Sequence, residues 1–501
     1  LISVIMGYSL NWLLDNREYP TIAITLIIGI GLRGLHLADG AHYHILGADS
    51  YHFHYLARQI LNGSGPALEH SGLSYPVAWL GSFTSLYFAS CCVPILLYIG
   101  GSLVIYYGSK YLFSPGVALG AVMSYTCIPL SVLTTAAGYL DRDGLTVIIL
   151  TIIVIGWYKL RARPILALGC LVIMIEILTV YWSNTARWVV ITIMIGLVMS
   201  VWVTEIYYKK RSPTGSSKDL LIRRQGVPVL IALGMSAGIG VLGSIQGIHN
   251  FHHLAAENLT GSNGIVEMSP ATPAHFIIFY TYTIITGFIG AWVMVARRLT
   301  VDIMILTWLL GIMAGGLIAQ RLLILTVPAM AIISGVGLAE ICKVAASLMG
   351  GPEGKRIRAA AAALVFLVFL GIGWQSYRLG SVDRMAPGET WLEALGYLKD
   401  NTAEDAKVLT HWGYGYWIKD LAGRDPVAAG GPRYAEEVER ICRAADPQEI
   451  YDIMAALGAD YLVIEMDRVE GEGLWRSPAL VSYGGIRILS IPSEQITNSA
   501  E

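Results

Sequence analysis

Four carboxylates stand out in this chain because of what surrounds them. Asp141 and Asp143 flank Arg142 in "AAGYLDRDGL", between two apolar runs. Asp49 opens "DSYHFHYLARQIL", and Glu267 lies in "NGIVEMSPATP". A carboxylate at the edge of an apolar run is costly unless it is paired, which makes it a functional candidate. An Asp-x-Asp pair lets two side chains approach one ion from a short turn, and carboxylate oxygens suit hard divalent cations such as Mg²⁺ or Mn²⁺. Each motif also has a simpler explanation. An Asp-x-Asp in a loop is usually solvated, Arg142 can neutralise its neighbours, and Asp49 is a good N-cap for a helix. The shared side, order and spacing of the three loops raise the reading above these.

The elements that must position these acids are set by hydropathy. The chain has 501 residues, 55% hydrophobic and 14% charged, with a mean hydropathy of +0.58. Soluble domains carry about 25% charged residues, so a multi-span α-helical membrane protein is expected. The net charge of −2 gives no sign of a nucleic-acid partner, and none is expected. Cys91 and Cys92 are adjacent, which is not a metal-site spacing, and read as small core residues. The chain opens on Leu1, so further residues are expected upstream, and no cleavable signal peptide stands out.

Eleven apolar runs are candidate spans: 20–38, 79–107, 115–137, 144–159, 164–181, 188–207, 227–246, 275–296, 301–319, 322–342 and 359–375. Basic residues set the orientation. Alternate loops hold Lys110, then Lys159 to Arg163, then the cluster from Lys209 to Arg224, then Arg297 and Arg298, then Lys343 to Arg358. The opposite loops hold only Arg33, Arg58, Arg142, Arg187 and Arg321. The first set is therefore expected inside. The three acidic loops and everything after 376 are expected outside. Residues 1–375 read as the membrane domain and 376–501 as a small external α/β domain. There "GETWLEALGYLKDNT" and "PQEIYDIMAALG" have helical spacing, and "AKVLTHWG" and "ADYLVIEM" read as buried strands.

Five motifs in this order resemble the catalytic-subunit family of oligosaccharyltransferases, C-type glycosyltransferases of the single-subunit archaeal or bacterial type. "DSYHFHYLARQIL" with Tyr75-Pro76 is similar to the family's first acidic motif, and "GYLDRDG" to its second. "GIVEMSPA" resembles the Thr-Ile-x-Glu motif, with Gly264 where Thr is usual. "AQRLLILTVPAMAIISGVGL" resembles the span whose arginine binds the donor phosphate, here Arg321. "HWGYGYWI" resembles the Trp-Trp-Asp-Tyr-Gly signature, with His411 for the first Trp and Gly413 for the Asp. The family has thirteen spans against the eleven counted here, and a hairpin near 208–226 would preserve the orientation.

The resemblance implies transfer of an oligosaccharide from a polyprenyl (dolichyl) phosphate or pyrophosphate carrier to Asn of Asn-x-Ser/Thr in an acceptor protein. It also implies an Mn²⁺- or Mg²⁺-dependent enzyme in the cell membrane, surrounded by lipid. Asp49, Asp141, Asp143 and Glu267 would hold the metal, and Asp49 and Glu267 would face the acceptor amide. Arg321 would bind the donor phosphate. His411, Trp412, Gly413 and Tyr414 would bind the acceptor, with His411 or a backbone carbonyl accepting the sequon hydroxyl's hydrogen bond in place of the missing Asp. If His411 accepts it, its neutral form is required and activity would fall below about pH 6.5. Tyr181, Trp182 and Arg187 lie on the same side, where an aromatic belt is the plainer explanation. The alternatives are another C-type glycosyltransferase (a protein O-mannosyl or lipid-linked sugar transferase), a cation transporter, or an inactive paralogue. Acids in loops at one face argue against transport, whose sites lie near the bilayer midplane.

Overall fold

The computed structural model describes residues 18–38, 45–64, 72–160, 271–281, 283–297, 299–317, 320–348, 386–429 and 434–491, with single positions at 198, 371 and 374. The expected spans 164–181 and 227–246 lie outside these residues, as do 188–207 and 359–375 apart from those single positions, and Glu267, Tyr181, Trp182 and Arg187.

The described residues of 18–160 are helical: α1 Glu18–Ala38, α2 Ala48–Leu61, α3 Ser74–Gly81, α4 Leu86–Leu112, α5 Pro115–Cys127, α6 Pro129–Thr134 and α7 Arg142–Leu160. Caps account for several boundaries. The Ser85 and Ser114 hydroxyls accept from Phe88 N at 3.1 Å and Val117 N at 3.3 Å, closing the first turns of α4 and α5. A second helical set follows: α8 Pro273–Tyr280, α9 Thr283–Arg297, α10 Thr300–Gly316, a 3₁₀ turn Gln320–Thr326 and α11 Val327–Leu348.

Four stretches among the described residues are long and apolar enough to cross a bilayer: Glu18–Leu35, Leu86–Leu112, Arg142–Leu160 and Leu322–Ala345. Three expected spans are instead broken. The run 79–107 divides at 82–85, between α3 and α4. The run 115–137 divides at Ile128, which is extended because the proline ring of Pro129 crowds a helical residue before it. The run 275–296 divides at Thr281, whose φ is 44°. α5, α9 and α11 pack closely through small residues. A Cβ on Gly335 would lie 2.5 Å from Ala121 N, and the Ser124 and Ser334 hydroxyls bond at 2.9 Å.

The C-terminal region is a mixed α/β unit. α12 Glu389–Asn401 precedes β1 Lys407–Leu409 and β2 Asp425–Pro426, then come α13 Ala435–Arg443, α14 Pro447–Ala456, β3 Tyr461–Glu465, β4 Val481–Tyr483 and β5 Ile486–Ser490. The strand order is β2-β1-β3-β5-β4. β1 runs parallel to β2 and β3, and β5 is antiparallel to both β3 and β4. The two helices and two strands read from the sequence are present. α14 ends at Ala456, and Gly458 follows with φ +64°. One face of the sheet packs on α13 and α14 through Ile441, Ile450, Met454 and Leu462. The other buries Trp391, Leu398, Trp417 and Ile488 together with Ile45 and Tyr51. α2 therefore shares a core with the C-terminal unit.

Candidate active site

α2 is the element on which the site is assembled. Its lead-in Gly47 has φ +81°, and a Cβ there would lie 3.0 Å from the Tyr139 ring, so a side chain is excluded on both counts. Gly47, rather than Asp49, is the N-cap residue. Asp49 lies in the first turn, exposed, where a carboxylate suits the positive end of the helix dipole. The next residue, Ser50, is 2% exposed, and its hydroxyl accepts from Leu140 N at 2.8 Å. Leu46 N donates to Gly138 O at 2.9 Å. These two bonds join residues 46–50 to 138–140. They place Asp49 and Asp141 one residue to either side of the bonded Ser50–Leu140 pair.

Asp141 has a structural task of its own. Its Oδ1 accepts from Asp143 N at 3.3 Å at the start of α7. Arg142 opens that helix with its guanidinium 5.6 Å from the Phe53 ring centroid. Asp143 is 7% exposed, in the first turn. Oxygen ligands of this kind fit Mg²⁺ or Mn²⁺. Among the described residues, however, no three His, Cys, Asp or Glu side chains converge closely enough to hold an ion. Asp49, Asp141 and Asp143 are thus an incomplete donor set by themselves. Arg321 lies in the 3₁₀ turn Gln320–Thr326, which is anchored by Trp308 Nε1 to Leu325 O at 3.2 Å and Tyr280 OH to Leu323 O at 2.9 Å.

The residues that follow HWGYG meet α2 directly. The Tyr416 ring lies 4.5 Å from that of His52, and Trp417 meets Tyr51 edge-on at 6.2 Å. Burial, followed by the charge of Asp49, pushes the Tyr416 phenol up to about 12, and Arg142 opposes the shift. Tyr416 therefore stands within electrostatic reach of both acidic loops. Further along, Arg58 Nη2 lies 3.1 Å from Asp420 Oδ1, and Arg58 Nη1 donates to Asp420 O at 3.0 Å. The sequence reading missed Tyr416, Asp420 and Arg58. Tyr416 and Arg58 lie inside the quoted stretches and Asp420 just beyond one, but no local pattern marks which residues meet across them.

The segment itself is built for rigidity. His411 Nδ1 accepts from Gly413 N at 3.3 Å, capping the 3₁₀ turn Trp412–Tyr414. That bond puts the imidazole proton on Nε2, so the free nitrogen of His411 is a donor. His411 therefore cannot accept the sequon hydroxyl's hydrogen bond as expected, although its Nε2–H can donate one. Burial, with a contribution from Arg468 that Glu465 opposes, lowers its pKa to about 4. The expected loss of activity below about pH 6.5 does not follow from this residue.

Tyr414 is 5% exposed, and its hydroxyl donates to Glu465 Oε2 at 2.8 Å and accepts from Arg468 Nη2 at 3.0 Å. Trp391 Nε1 donates to Glu465 Oε1 at 2.6 Å. Tyr414 thus braces the turn from behind. A Cβ on Gly415 would lie 2.1 Å from Ala428 O, so only glycine fits there. Beside the turn is a cleft of about 180 Å³, lined by Thr410, His411, Tyr414, Cys442, Glu465 and Arg468, with α13 on its other wall. The buried Thr410 Oγ1 and Trp412 Nε1 have no hydrogen-bond partner among the described residues.

No family model matches the chain. It is 28% identical over 146 residues to dolichyl-phosphooligosaccharide-protein glycotransferase 2 of Pyrococcus horikoshii, a match that covers 29% of this chain and 18% of that protein. The fold is similar to archaeal oligosaccharyltransferase AglB of Archaeoglobus fulgidus, solved with an inhibitory peptide and a dolichol-phosphate. The TM-score is 0.67 at 15% identity, over 91% of this chain and 70% of that one. A structure of an Archaeoglobus fulgidus oligosaccharyltransferase with Zn and sulfate gives 0.60 at 15% identity, over 89% and 68%. ArnT of Cupriavidus metallidurans, bound to undecaprenyl phosphate, gives 0.54 at 12% identity, over 95% and 98%. The chain is thus similar in part of its sequence to archaeal oligosaccharyltransferase catalytic subunits, and it shares its fold with AglB and ArnT.

Proposed function

We propose that this protein transfers an oligosaccharide from a polyprenyl phosphate or pyrophosphate carrier to the side-chain amide of Asn in Asn-x-Ser/Thr. The observation that carries the reading is the junction at α2. Asp49, the Asp141–Asp143 loop and the residues that follow HWGYG are far apart in sequence and meet on one helix. In this reading residues 1–375 form the membrane domain, residues 376–501 form an outer domain, and the acids and HWGYG share the outer face.

An amide nitrogen is a poor nucleophile, because its lone pair is conjugated with the carbonyl and rotation costs about 18–20 kcal/mol. Asp49 and Glu267 would accept the two N–H hydrogens and loosen that conjugation through charge-assisted bonds. Asp49, Asp141, Asp143 and Glu267 would hold a divalent cation, Mn²⁺ or Mg²⁺, and the described members of that set are all hard oxygen donors. Once bound, such a cation supplies Lewis acidity that stabilises charge on the departing phosphate. Arg321 would grip the donor phosphate with a planar fork that lysine lacks. At the acceptor, Trp412 would pack against the Ser/Thr side chain and His411 Nε2–H would donate to its hydroxyl oxygen.

The second reading is another C-type glycosyltransferase, one that transfers sugar to a lipid; the fold shared along nearly the whole of ArnT, a protein solved with undecaprenyl phosphate, is compatible with it. Incubating the purified protein with lipid extract from its own cells and a labelled Asn-x-Thr peptide, with and without Mn²⁺, separates the two. Cation-dependent glycopeptide supports the proposal. Sugar appearing on lipid, with the peptide unchanged, supports the second reading.

A further inference from the structure

Arg33 was counted in the sequence among the basic residues of outer loops. In the structure it is fully buried within α1. Its guanidinium meets neutral groups on several sides. Nε donates to Thr135 Oγ1 at 2.6 Å and Nη2 to Ser131 Oγ at 2.9 Å. Nη1 donates to Gly29 O at 3.2 Å and Thr126 O at 3.3 Å. Its Cζ lies 3.6 Å from the centroid of the Tyr98 ring. None of the ion pairs among the described residues involves it.

A buried cation without a counter-charge is a costly way to pack a helix, and an apolar side chain would do that task with less desolvation. What an apolar residue cannot do is hold three chain positions at once through a planar fork. Those positions are Thr126, in the last turn of α5, Ser131 in α6, and Thr135 just after it. The backbone of Arg33 adds a fourth anchor, since Ala137 N donates to its carbonyl at 3.0 Å. From there the chain runs straight into the acidic loop. Tyr139 N donates to Ala136 O at 3.0 Å, and Asp141 N donates to Tyr139 O at 3.2 Å. Leu140 is joined to Ser50 beside Asp49.

We propose that Arg33 is a positioning residue that fixes the Asp141–Asp143 loop, and through Leu140 the start of α2, against the membrane helices. Its importance for sugar transfer rests on the function proposed above, but the positioning itself does not. The amides of Ala137, Tyr139, Leu140 and Asp141 are the reporters, because each is bonded within this chain of contacts.

The experiment compares the full-length wild type, Arg33→Lys and the milder Thr135→Val in detergent, by hydrogen exchange of peptides covering 137–143 and of control peptides from the middle of α4. Exchange in 137–143 should rise about tenfold or more in Arg33→Lys, and less in Thr135→Val, with α4 unchanged. In the transfer assay, Arg33→Lys should lower kcat and raise the Mn²⁺ concentration for half-maximal rate, with the peptide KM unmoved. A purely structural role would lower the folded fraction and leave that midpoint where it was. Unchanged exchange at 137–143, or an equal rise in α4, overturns the proposal. A selective rise at 137–143 in a protein that transfers no sugar would keep the positioning role and remove the functional reading.

Discussion

Asp420 lies between the HWGYG segment and the end of α2, and replacing it by asparagine should make the protein more stable at alkaline pH. Its carboxyl is 3% exposed, and neither oxygen accepts a hydrogen bond among the described residues. Burial raises its pKa to about 7, against a smaller opposing pull from Arg58. The unfolded chain ionises this group near its ordinary value of 3.8. Between about pH 4 and pH 7 the folded protein therefore holds a proton that the unfolded chain has lost. Stability falls as pH rises through that window and levels off above it.

The difference of about 3 pKa units corresponds to about 4 kcal/mol at pH 8. Asp420→Asn keeps the shape and removes the titration. That pKa difference already includes the opposing attraction of Arg58, whose side chain is 41% exposed. The buried amide also wants partners, at about 1–3 kcal/mol. The net expectation at pH 8 is a gain of about 1–3 kcal/mol, and at pH 5 a small loss. Thermal unfolding of both proteins at pH 5 and pH 8, followed by near-ultraviolet circular dichroism, measures it. The buried imidazoles of His54 and His411 are held near 4 and lower stability at pH 5 equally in both proteins, so they cancel from the comparison. A variant that is less stable than wild type at both pH values would refute the reasoning.

Other outcomes follow from single contacts. Asp141→Asn should abolish transfer with little loss of stability, since the amide oxygen can still accept from Asp143 N. Asp141→Ala should lose transfer and, with the bond gone, about 1 kcal/mol of stability in the same melts. Gly415→Ala should lower Tm by the equivalent of about 1–3 kcal/mol and reduce transfer, because its Cβ collides with the carbonyl of Ala428. Gly413→Asp should sharpen selection of Asn-x-Thr over Asn-x-Ala peptides and raise the pKa of His411, whose ring lies 3.3 Å from the new Cβ. Peptide competition and NMR titration of His411 read these two effects. Wild-type transfer should show no titration near pH 6.5 attributable to His411, because burial holds that imidazole neutral down to about pH 4.

The sequence by itself determined the class of the molecule and the order of its parts. Hydropathy is a property of neighbouring residues, so apolar runs and the charged C-terminal stretch could be read without knowing what they touch. The alternation in "ADYLVIEM" and the helical spacing of "PQEIYDIMAALG" are equally local, and β3 and α14 lie where they were expected. Motif order was also enough to point to the family.

Tertiary structure decided what those parts do to one another. Ser50 bonds Leu140 across 90 positions and Arg58 bonds Asp420 across 362, and nothing in either short stretch specifies its partner. Arg33 reads as a loop cation because a lone arginine near the end of an apolar run is normally drawn to water. Only the convergence of Thr126, Ser131 and Thr135 around it makes burial possible. The protonation of His411 was likewise beyond the sequence. A backbone N–H two residues away occupies Nδ1, and burial beside Arg468 removes the charge. Residue types fix which hydrogen bonds and charges are available, and the fold fixes which of them meet in the absence of water.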